Sequence, residues 1–316
     1  MINRELIRTK VVQLVYAYVQ NEDKSLDAAE RELEFSLLKS YELYKFLLSL
    51  LVQVKYTAER REDARLARAE RLGVASDELP IDKYLAENKL LQKMASNKVL
   101  LDYLETEKQE WMEDDALIRN VYKSFTESSI YHEYIHKGDY SIKADRELVR
   151  RLYKEYLLEN ELLESTLEDH SIYWNDDKEV IDNFVIKALG LFNGESKPDM
   201  PLLSEFAVEE DREFAFQLFR QTIERGEELR GHLRTNCLKW DFDRIALMDK
   251  VIIQTALAEI LTFSDIPLNV SINEYVEIAK NYSTPKSGAF VNGQLDNICK
   301  RLNKERILMK ISMKKK

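Results

Sequence analysis

Three residues of the 316-residue sequence form a pattern that supports metal-dependent hydrolysis, the H-E-x-x-H spacing of His132, Glu133 and His136. Two histidines four residues apart lie on one face of a helix and can share a zinc ion, while the glutamate activates a water molecule. Gly138 and Asp139 are predicted to end this helix one turn after His136, although a zinc-binding helix should be firmly embedded in its fold. We therefore predict no bound metal, cofactor or catalytic residue, and keep a zinc-dependent hydrolase as the alternative.

Other patterns that support catalysis or nucleotide binding are incomplete. Gly288 and Gly293 have the spacing of a phosphate-binding P-loop, but the lysine and the hydroxyl residue that such a loop requires are missing. The two cysteines, Cys237 and Cys299, are too few for a disulfide framework or a four-ligand zinc site, and their helical, apolar surroundings predict burial. The sequence thus predicts a protein that is not an enzyme.

The composition favours an all-α fold. Hydrophobic residues make up 45% of the chain and charged residues 33%, whereas only 8 glycines and 5 prolines occur, too few for the many tight turns of a sheet protein. The N-terminus is charged within five residues, which is not typical of a secretory signal, and no apolar run is long enough to span a membrane. A cytoplasmic location is the expectation.

Charge is distributed unevenly along the chain, which carries a net −10. Residues 1–20 and 300–316 are basic, whereas residues 161–214 contain 15 acidic and 4 basic residues. A phosphate backbone is repelled by the acidic part and attracted to the basic ends. The distribution is compatible with nucleic-acid binding at the two ends, although a solvated basic tail is the simpler explanation of residues 300–316.

Hydrophobic spacing predicts a succession of helices with few loops. The predicted helices are 4–20, 26–72, 81–112, 114–127, 144–168, 177–192, 209–234, 247–261 and 285–303. The helix over 247–261 is apolar almost all round and is expected at the centre of the fold. It contains one carboxylate, Glu259, which we expect to be paired and structural. Ser271 and Glu274 form a predicted capping box, and Pro285 is placed at the first position of the last helix.

The last third of the sequence resembles the NusB family of bacterial transcription antitermination factors. The similarity rests on the order and spacing of Trp240 and Arg244, Asp249-Lys250-x-Ile252-Ile253, Glu259-Ile260-Leu261, Asp265-Ile266-Pro267, Ile272-Asn273-Glu274, Val276 to Tyr282, Ser287, and Phe290-Val291-Asn292-Gly293-x-Leu295-Asp296. The first helix, with Arg8, Val12, Gln13 and Tyr16, resembles the arginine-bearing first helix of the family. The resemblance covers about residues 1–50 and 203–303.

This resemblance implies an all-α, NusB-like helical bundle with an additional helical insertion in its N-terminal half. The implied domains are 1–56, the first part of the bundle; 57–200, an acidic insertion of unknown role; 201–303, the C-terminal part; and 304–316, a basic tail. It also implies a function, namely binding of single-stranded boxA RNA together with the ribosomal protein NusE in an antitermination complex with RNA polymerase, notably on ribosomal RNA operons.

Six residues are the candidate RNA-binding set. Single-stranded RNA is held by cations, helix N-termini and stacking aromatic rings. These elements are supplied by Arg4, Arg8 and Lys10 in the first helix and by Lys286, Ser287 and Phe290 at the start of the last helix.

Two departures from the family pattern bear on the partner surface, namely Gln254, where the family commonly has arginine, and Ala258, where it often has tyrosine. A related alternative is a NusB-like RNA-binding module of another RNA-processing system, such as the front domain of RNA methyltransferases.

Overall fold

The computed structural model of the protein describes residues 1–21, 25–73, 80–237 and 242–308. These residues form sixteen α-helices and a short 3-10 helix over Phe242–Arg244, with no strand beyond a single parallel bridge between Ile2 and Phe206. The all-α prediction is therefore confirmed. Trp240 of the resemblance, and all but the first five residues of the predicted tail 304–316, lie outside the described residues.

The helices follow the chain with short connections. They are α1 (Arg4–Gln20), α2 (Leu26–Leu72), α3 (Ile81–Ala86), α4 (Lys89–Ala95), α5 (Lys98–Thr106), α6 (Lys108–Glu113), α7 (Asp115–Thr126), α8 (Ser129–Lys137), α9 (Ile142–Tyr156), α10 (Glu161–His170), α11 (Lys178–Leu189), α12 (Glu209–Glu224), α13 (Gly226–Asn236), α14 (Leu247–Thr262), α15 (Leu268–Tyr282) and α16 (Ser287–Lys304).

The chain divides into two compact units. Unit 1 comprises Met1 and residues 39–205, and unit 2 comprises residues 2–38 and 206–316. Apart from Met1, the chain passes from unit 2 to unit 1 between residues 38 and 39 and returns to unit 2 between residues 205 and 206. The resemblance implies an insertion with different ends, from residue 57 to residue 200. Helix α2 contributes its first part to unit 2 and the remainder to unit 1.

Unit 2 is a helical bundle built around α14. Helices α1, α12, α13, α15 and α16 all pack against α14, so this helix is enclosed on every side. Its sequence is apolar almost all round, and residues 251–260 are all buried. A helix without a polar stripe gains most from such a central position, because each buried aliphatic side chain contributes about 1.5–3 kcal/mol.

Unit 1 contains the remainder of α2 and helices α3–α11, and several buried carboxylates in it are hydrogen-bonded by hydroxyl groups. The Tyr153 hydroxyl donates to Asp182 at 2.5 Å, and Lys178 Nζ donates to the same carboxylate at 2.9 Å. Ser40 donates to Asp177 at 2.5 Å. These bonds offset part of the cost of burying a charged group.

Asparagine caps divide two of the helical runs that the sequence predicts as continuous. The side-chain oxygens of Asn88, Asn97 and Asn160 accept the backbone N–H three residues ahead and so begin α4, α5 and α10. The predicted runs 81–112 and 144–168 are therefore broken into shorter helices. An N-cap asparagine satisfies one of the donors that a helix start leaves free, so each break is locally stable.

The predicted capping box of Ser271 and Glu274 is wrong. Helix α15 begins at Leu268, after Pro267, and its first residue makes no side-chain cap. Ser271 is buried inside the first turn, and the carboxylate of Glu274 accepts a hydrogen bond from Arg8 at 3.2 Å instead.

None of the described helices combines the length and apolar character that a membrane span requires.

Candidate nucleic-acid interface

Arg8 is buried in the centre of unit 2 and bound to carboxylates. Its Nε donates to Oε2 of Glu259 at 2.8 Å and its Nη2 to Oε1 at 3.1 Å, a bidentate pair, while Nη1 donates to Glu274 at 3.2 Å. The hydroxyl of Tyr275 adds a bond to Glu259 at 3.0 Å. Burial opposes the charge of Arg8, but the hydrogen bond and the nearby carboxylates outweigh it and raise the pKa of the guanidinium. Glu259 is thus the structural carboxylate that the sequence predicts.

Lys10 is also buried, with 2% of its surface exposed, compared with 4% for Arg8. Both residues are predicted on the RNA surface as cations of α1, where they flank an apolar stripe formed by Ile7, Val11, Leu14, Ala17 and Tyr18. The structure shows that α12, α14 and α15 pack around this helix, so its flanks are covered as well as its apolar face. In this conformation neither side chain is available to a phosphate, and Arg8 positions α1.

Arg4, one turn before Arg8, remains partly exposed. About a third of its side chain (35%) is accessible, and its guanidinium lies 4.9 Å from the ring centroid of Phe214. Its Nε donates to Asp211 at 3.0 Å, and its Nη1 lies 3.8 Å from the exposed carboxylate of Asp265. Because about a third of its side chain is accessible, this guanidinium can be reached by a phosphate.

The start of α16 combines an exposed cation with a network of hydroxyl groups. Lys286 is exposed, whereas Ser287 is buried and donates to Asp249 at 3.0 Å. Ser283 donates to the other oxygen of Asp249 at 2.7 Å, and the backbone N–H of Thr284 donates to the Ser287 hydroxyl at 3.1 Å. The Asp249 carboxylate thus lies at the first turn, where the helix dipole is positive, and it weakens the attraction of this turn for a phosphate.

Phe290 is half-buried on the first turns of α16, so part of its ring can be reached by a ligand. Glycine at position 288 serves packing rather than phosphate binding, because an added Cβ would lie 2.8 Å from Cγ of Lys280 on α15. Gly288 therefore reflects the close approach of α15 and α16, whereas a Cβ added at Gly293 would meet no atom within 4 Å.

The two halves of the candidate site are both fixed to α14. Arg8 of α1 contacts α14 at Glu259, and Ser287 of α16 contacts it at Asp249. Ten residues of α-helix separate these two carboxylates, a distance of about 15 Å along the axis. Helix α14 therefore sets the separation between Arg4 on α1 and Lys286 and Phe290 on α16, all of which belong to unit 2.

The residues of the H-E-x-x-H pattern lie on α8 in unit 1. This helix ends at Gly138, whose φ of 65° is left-handed, one residue after Lys137, as the sequence predicts. Glu133 lies 3.3 Å from the guanidinium of Arg151, and His136 is exposed. Within the described residues, no group of three or more histidine, cysteine or acidic side chains has an arrangement suited to a metal ion.

Gln254 and Ala258 are buried in α14, so neither offers the side chain that the family commonly presents at its position. The amide of Gln254 donates to the Thr222 carbonyl at 2.7 Å and accepts from Arg230 at 3.1 Å. A guanidinium from α13 is thereby placed beside the position where the resemblance implies arginine.

These features define an all-helical bundle with exposed cations at its first and last helices, and comparisons with known proteins assign its family. The model of the NusB family matches residues 182–300. The transcription antitermination protein NusB of Salinibacter ruber is 38% identical over 109 residues, which are 34% of this chain and 68% of that protein.

The protein of the same name from Methylacidiphilum infernorum is 44% identical over 92 residues, which are 29% of this chain and 64% of that protein. The one from Thermodesulfovibrio yellowstonii is 45% identical over 89 residues, 28% of this chain and 59% of that protein. The chain thus spans less than two thirds of the length of these two relatives. The chain belongs to the NusB family, as the resemblance implied. No solved structure matches it significantly.

Proposed function

We propose that the protein is a transcription antitermination factor that acts in the cytoplasm. It binds boxA-type single-stranded RNA on unit 2 together with a NusE-type ribosomal protein, and joins RNA polymerase to support transcription of ribosomal RNA operons. Membership of the NusB family, and the similarity to transcription antitermination proteins, support this proposal. We also propose that residues 57–200 are an insertion into the family fold and that the protein is not an enzyme.

The observation that carries the RNA proposal is the set of groups left accessible in unit 2. Arg4 and Lys286 supply cations, and the half-buried ring of Phe290 lies one turn from Lys286. Cations that track phosphates and an aromatic face that stacks on a base are the elements of a single-strand site. Arg8, Lys10 and Ser287 stay in the proposed site as buried residues that hold the first and last helices in place.

The salt dependence of RNA binding tests this surface. Each phosphate contact to single-stranded RNA contributes about 0.7 to the slope of log affinity against log salt concentration. Arg4→Gln and Lys286→Gln should each reduce the slope by about that amount, as measured by fluorescence anisotropy with a boxA oligonucleotide. Arg220→Gln, which changes an exposed arginine that pairs with Glu30, is the matched control. If all three variants bind with the wild-type slope, the surface is wrongly placed.

Phe290→Leu separates stacking from charge. If the ring stacks on a base, this change should weaken boxA binding by about 1–3 kcal/mol and leave the salt slope unchanged. Phe290 also packs in the protein, so a thermal unfolding curve must accompany the binding measurement. Unchanged binding by a folded variant would remove Phe290 from the site.

Partner binding is tested separately. Gel filtration of the protein with boxA RNA and the NusE-type ribosomal protein should give a ternary complex that a scrambled RNA does not support.

The alternative function, zinc-dependent hydrolysis, requires stoichiometric zinc in the purified protein that is lost in His136→Ala. Absence of zinc from the wild-type protein would remove that alternative.

A further inference from the structure

Unit 1 contains a cavity whose lining is basic although the whole chain is acidic. The cavity has a volume of about 600 Å³, within the usual range for small-molecule sites. Its lining residues are Lys89, Gln92, Lys93, Ser96, Ser141, Ile142 and Gly194, and none of these is acidic. Of these residues only Gly194 falls within the match to the NusB family model, and none belongs to the H-E-x-x-H pattern.

Both lysines of the cavity are held in place by backbone carbonyls. Lys89 Nζ donates to the Tyr140 carbonyl at 2.8 Å, and Lys93 Nζ donates to the Ser196 carbonyl at 2.9 Å. An ammonium group has three donors, so each lysine keeps two for a ligand. Because their side chains are already fixed, less conformational entropy is lost when an anion binds.

The N-terminus of α9, a helix of 15 residues, opens into the same cavity. Ser141 caps this helix by accepting the Ala144 N–H at 3.3 Å, and Ile142 is its first residue. The N–H groups of Ile142 and Lys143 have no intrahelical acceptor, and Lys143 is exposed. The helix dipole therefore adds a partial positive charge to that of the two lysines.

Three carboxylates lie near the cavity in space or in sequence: Asp145 and Asp139, which backbone groups already use, and the exposed Glu195, which follows the lining residue Gly194. Asp145 is buried and accepts the Lys89 N–H at 2.7 Å, while the exposed Asp139 accepts the Ser141 N–H at 3.0 Å. Against these stand the ammonium groups of Lys89, Lys93 and Lys143. Because the lining itself contains Lys89 and Lys93 and no acidic residue, the cavity favours an anionic ligand.

Tyr140 contacts the cationic group of Lys89 through its backbone carbonyl, and its ring is not part of the cavity lining. Tyr140 precedes Ser141 in sequence and is 38% exposed, and its ring centroid lies 5.2 Å from that of the partly exposed Tyr84. The Tyr140 hydroxyl donates to the Ile135 carbonyl at 3.1 Å, which fixes the orientation of the ring. A fixed and partly exposed ring, one residue from the lining residue Ser141, is suited to stack on the base of a bound nucleotide.

We propose that this cavity binds the phosphate of a nucleotide, with the base against Tyr140. Lys89, Lys93 and the first turn of α9 hold the phosphate. The nucleotide is either one unit of a single-stranded RNA or a free nucleotide, since both present the same phosphate and base. The site lies in unit 1 and does not depend on the RNA surface proposed for unit 2.

The test uses the full chain with Arg4→Gln and Lys286→Gln, so that the proposed surface of unit 2 contributes little. Two probes are titrated, 5′-AMP by equilibrium dialysis and a short fluorescent oligouridylate by anisotropy. Lys89→Gln with Lys93→Gln should weaken binding about tenfold or more, because two charge-assisted hydrogen bonds are lost. The matched control is Lys108→Gln with Lys123→Gln, two exposed lysines elsewhere in unit 1.

A second variant covers the case in which the double lysine variant does not fold. Ser141→Asp keeps an efficient N-cap and so preserves α9, but it places a negative charge where the phosphate is expected. It too should weaken binding about tenfold or more. Weakening of both probes identifies a site that also takes free nucleotides, and weakening of oligouridylate alone identifies a site for a strand. If neither probe binds, or if Ser141→Asp binds like the control, the proposal is overturned.

Discussion

Arg8 and Glu259 form a buried bidentate ion pair although 251 positions separate them in the sequence. Their side chains are 5% and 0% exposed. The pair joins the first helix of unit 2 to its central helix, and Tyr275 and Glu274 complete its hydrogen bonds. A buried charge is tolerated only when it is paired and its remaining donors or acceptors are satisfied. The position of α1, and with it that of Arg4, therefore depends on this pair.

Removal of either partner should strongly destabilise unit 2. Arg8→Met leaves Glu259 buried without its counter-charge and should lower the free energy of unfolding by about 3–5 kcal/mol. Glu259→Gln leaves the guanidinium with Glu274 as its remaining counter-charge, so its loss should lie at the lower end of that range. Urea unfolding of the two single variants and the double variant gives the coupling energy. The double variant should be less destabilised than the sum of the singles. Additive losses, or single losses below about 1 kcal/mol, would show that the pair does not couple the two helices.

Asp265 should compete with RNA for Arg4. Its carboxylate lies 3.8 Å from the guanidinium and its side chain is 71% exposed, so the pair contributes little to stability. Asp265→Asn should therefore leave the unfolding midpoint unchanged and tighten boxA binding roughly two- to fivefold at low salt, an effect that fades as salt screens the charges. Asp27→Asn, an equal charge change at an exposed position of α2, is the control. Equal binding by the two variants would mean that Arg4 does not contact RNA.

The fold class and the central position of α14 could be predicted from the sequence, since both follow from local composition and hydrophobic spacing. The need for a partner to Glu259 could also be predicted, because an unpaired carboxylate is not stable in an apolar helix. The identity of the partner could not, since Arg8 lies on a distant helix. Its position on the flank of an apolar stripe indicated exposure, and only the packing of neighbouring helices around α1 shows that the flank is covered.

In the candidate site, too, contacts between distant helices could not be predicted from the sequence. Lys286 is exposed at the start of the last helix, as its sequence position indicates, but the carboxylate that lies at that turn comes from Asp249 on another helix. Helix boundaries were less predictable than helix existence. The hydrophobic spacing of residues 81–112 is helical throughout, but Asn88 and Asn97 begin new helices within this range. The sequence signal that could have revealed each break is an asparagine followed three residues later by a leucine.

These two caps differ in a way that stability measurements can resolve. Asn88 and Asn97 each accept one backbone N–H, but Nδ2 of Asn97 also donates to the Met200 carbonyl at 2.7 Å. Nδ2 of Asn88 has no hydrogen-bond partner among the described residues. Asn88→Ala should cost about 1 kcal/mol, the usual loss of a cap, whereas Asn97→Ala should cost about 1 kcal/mol more because a carbonyl is also left without its donor. Equal losses in urea unfolding would contradict this difference.

The stability of unit 1 should depend on pH through His170. This residue ends α10, and its Nε2 lies 3.2 Å from Asp114, while Nδ1 lies 3.6 Å from Glu110. The ring stacks on Trp174 with centroids 5.7 Å apart. The hydrogen bond to Asp114 raises the pKa of His170, burial opposes this shift, and the charges of Asp114, Glu110 and Asp169 add to it. The protonated imidazole therefore binds α10 to the junction of α6 and α7.

A histidine whose pKa is higher in the folded state stabilises that state fully below the unfolded value of about 6.5, and this contribution is lost as the pH rises through the folded value. His170→Gln should therefore destabilise the protein more at pH 6 than at pH 8. The difference should be below about 1 kcal/mol, because solvent partly screens the pair. The measurement is urea unfolding of wild type and variant at both pH values, with His136→Gln on the exposed side of α8 as control. A loss at pH 8 equal to or greater than that at pH 6 would show that His170 acts by packing rather than by charge.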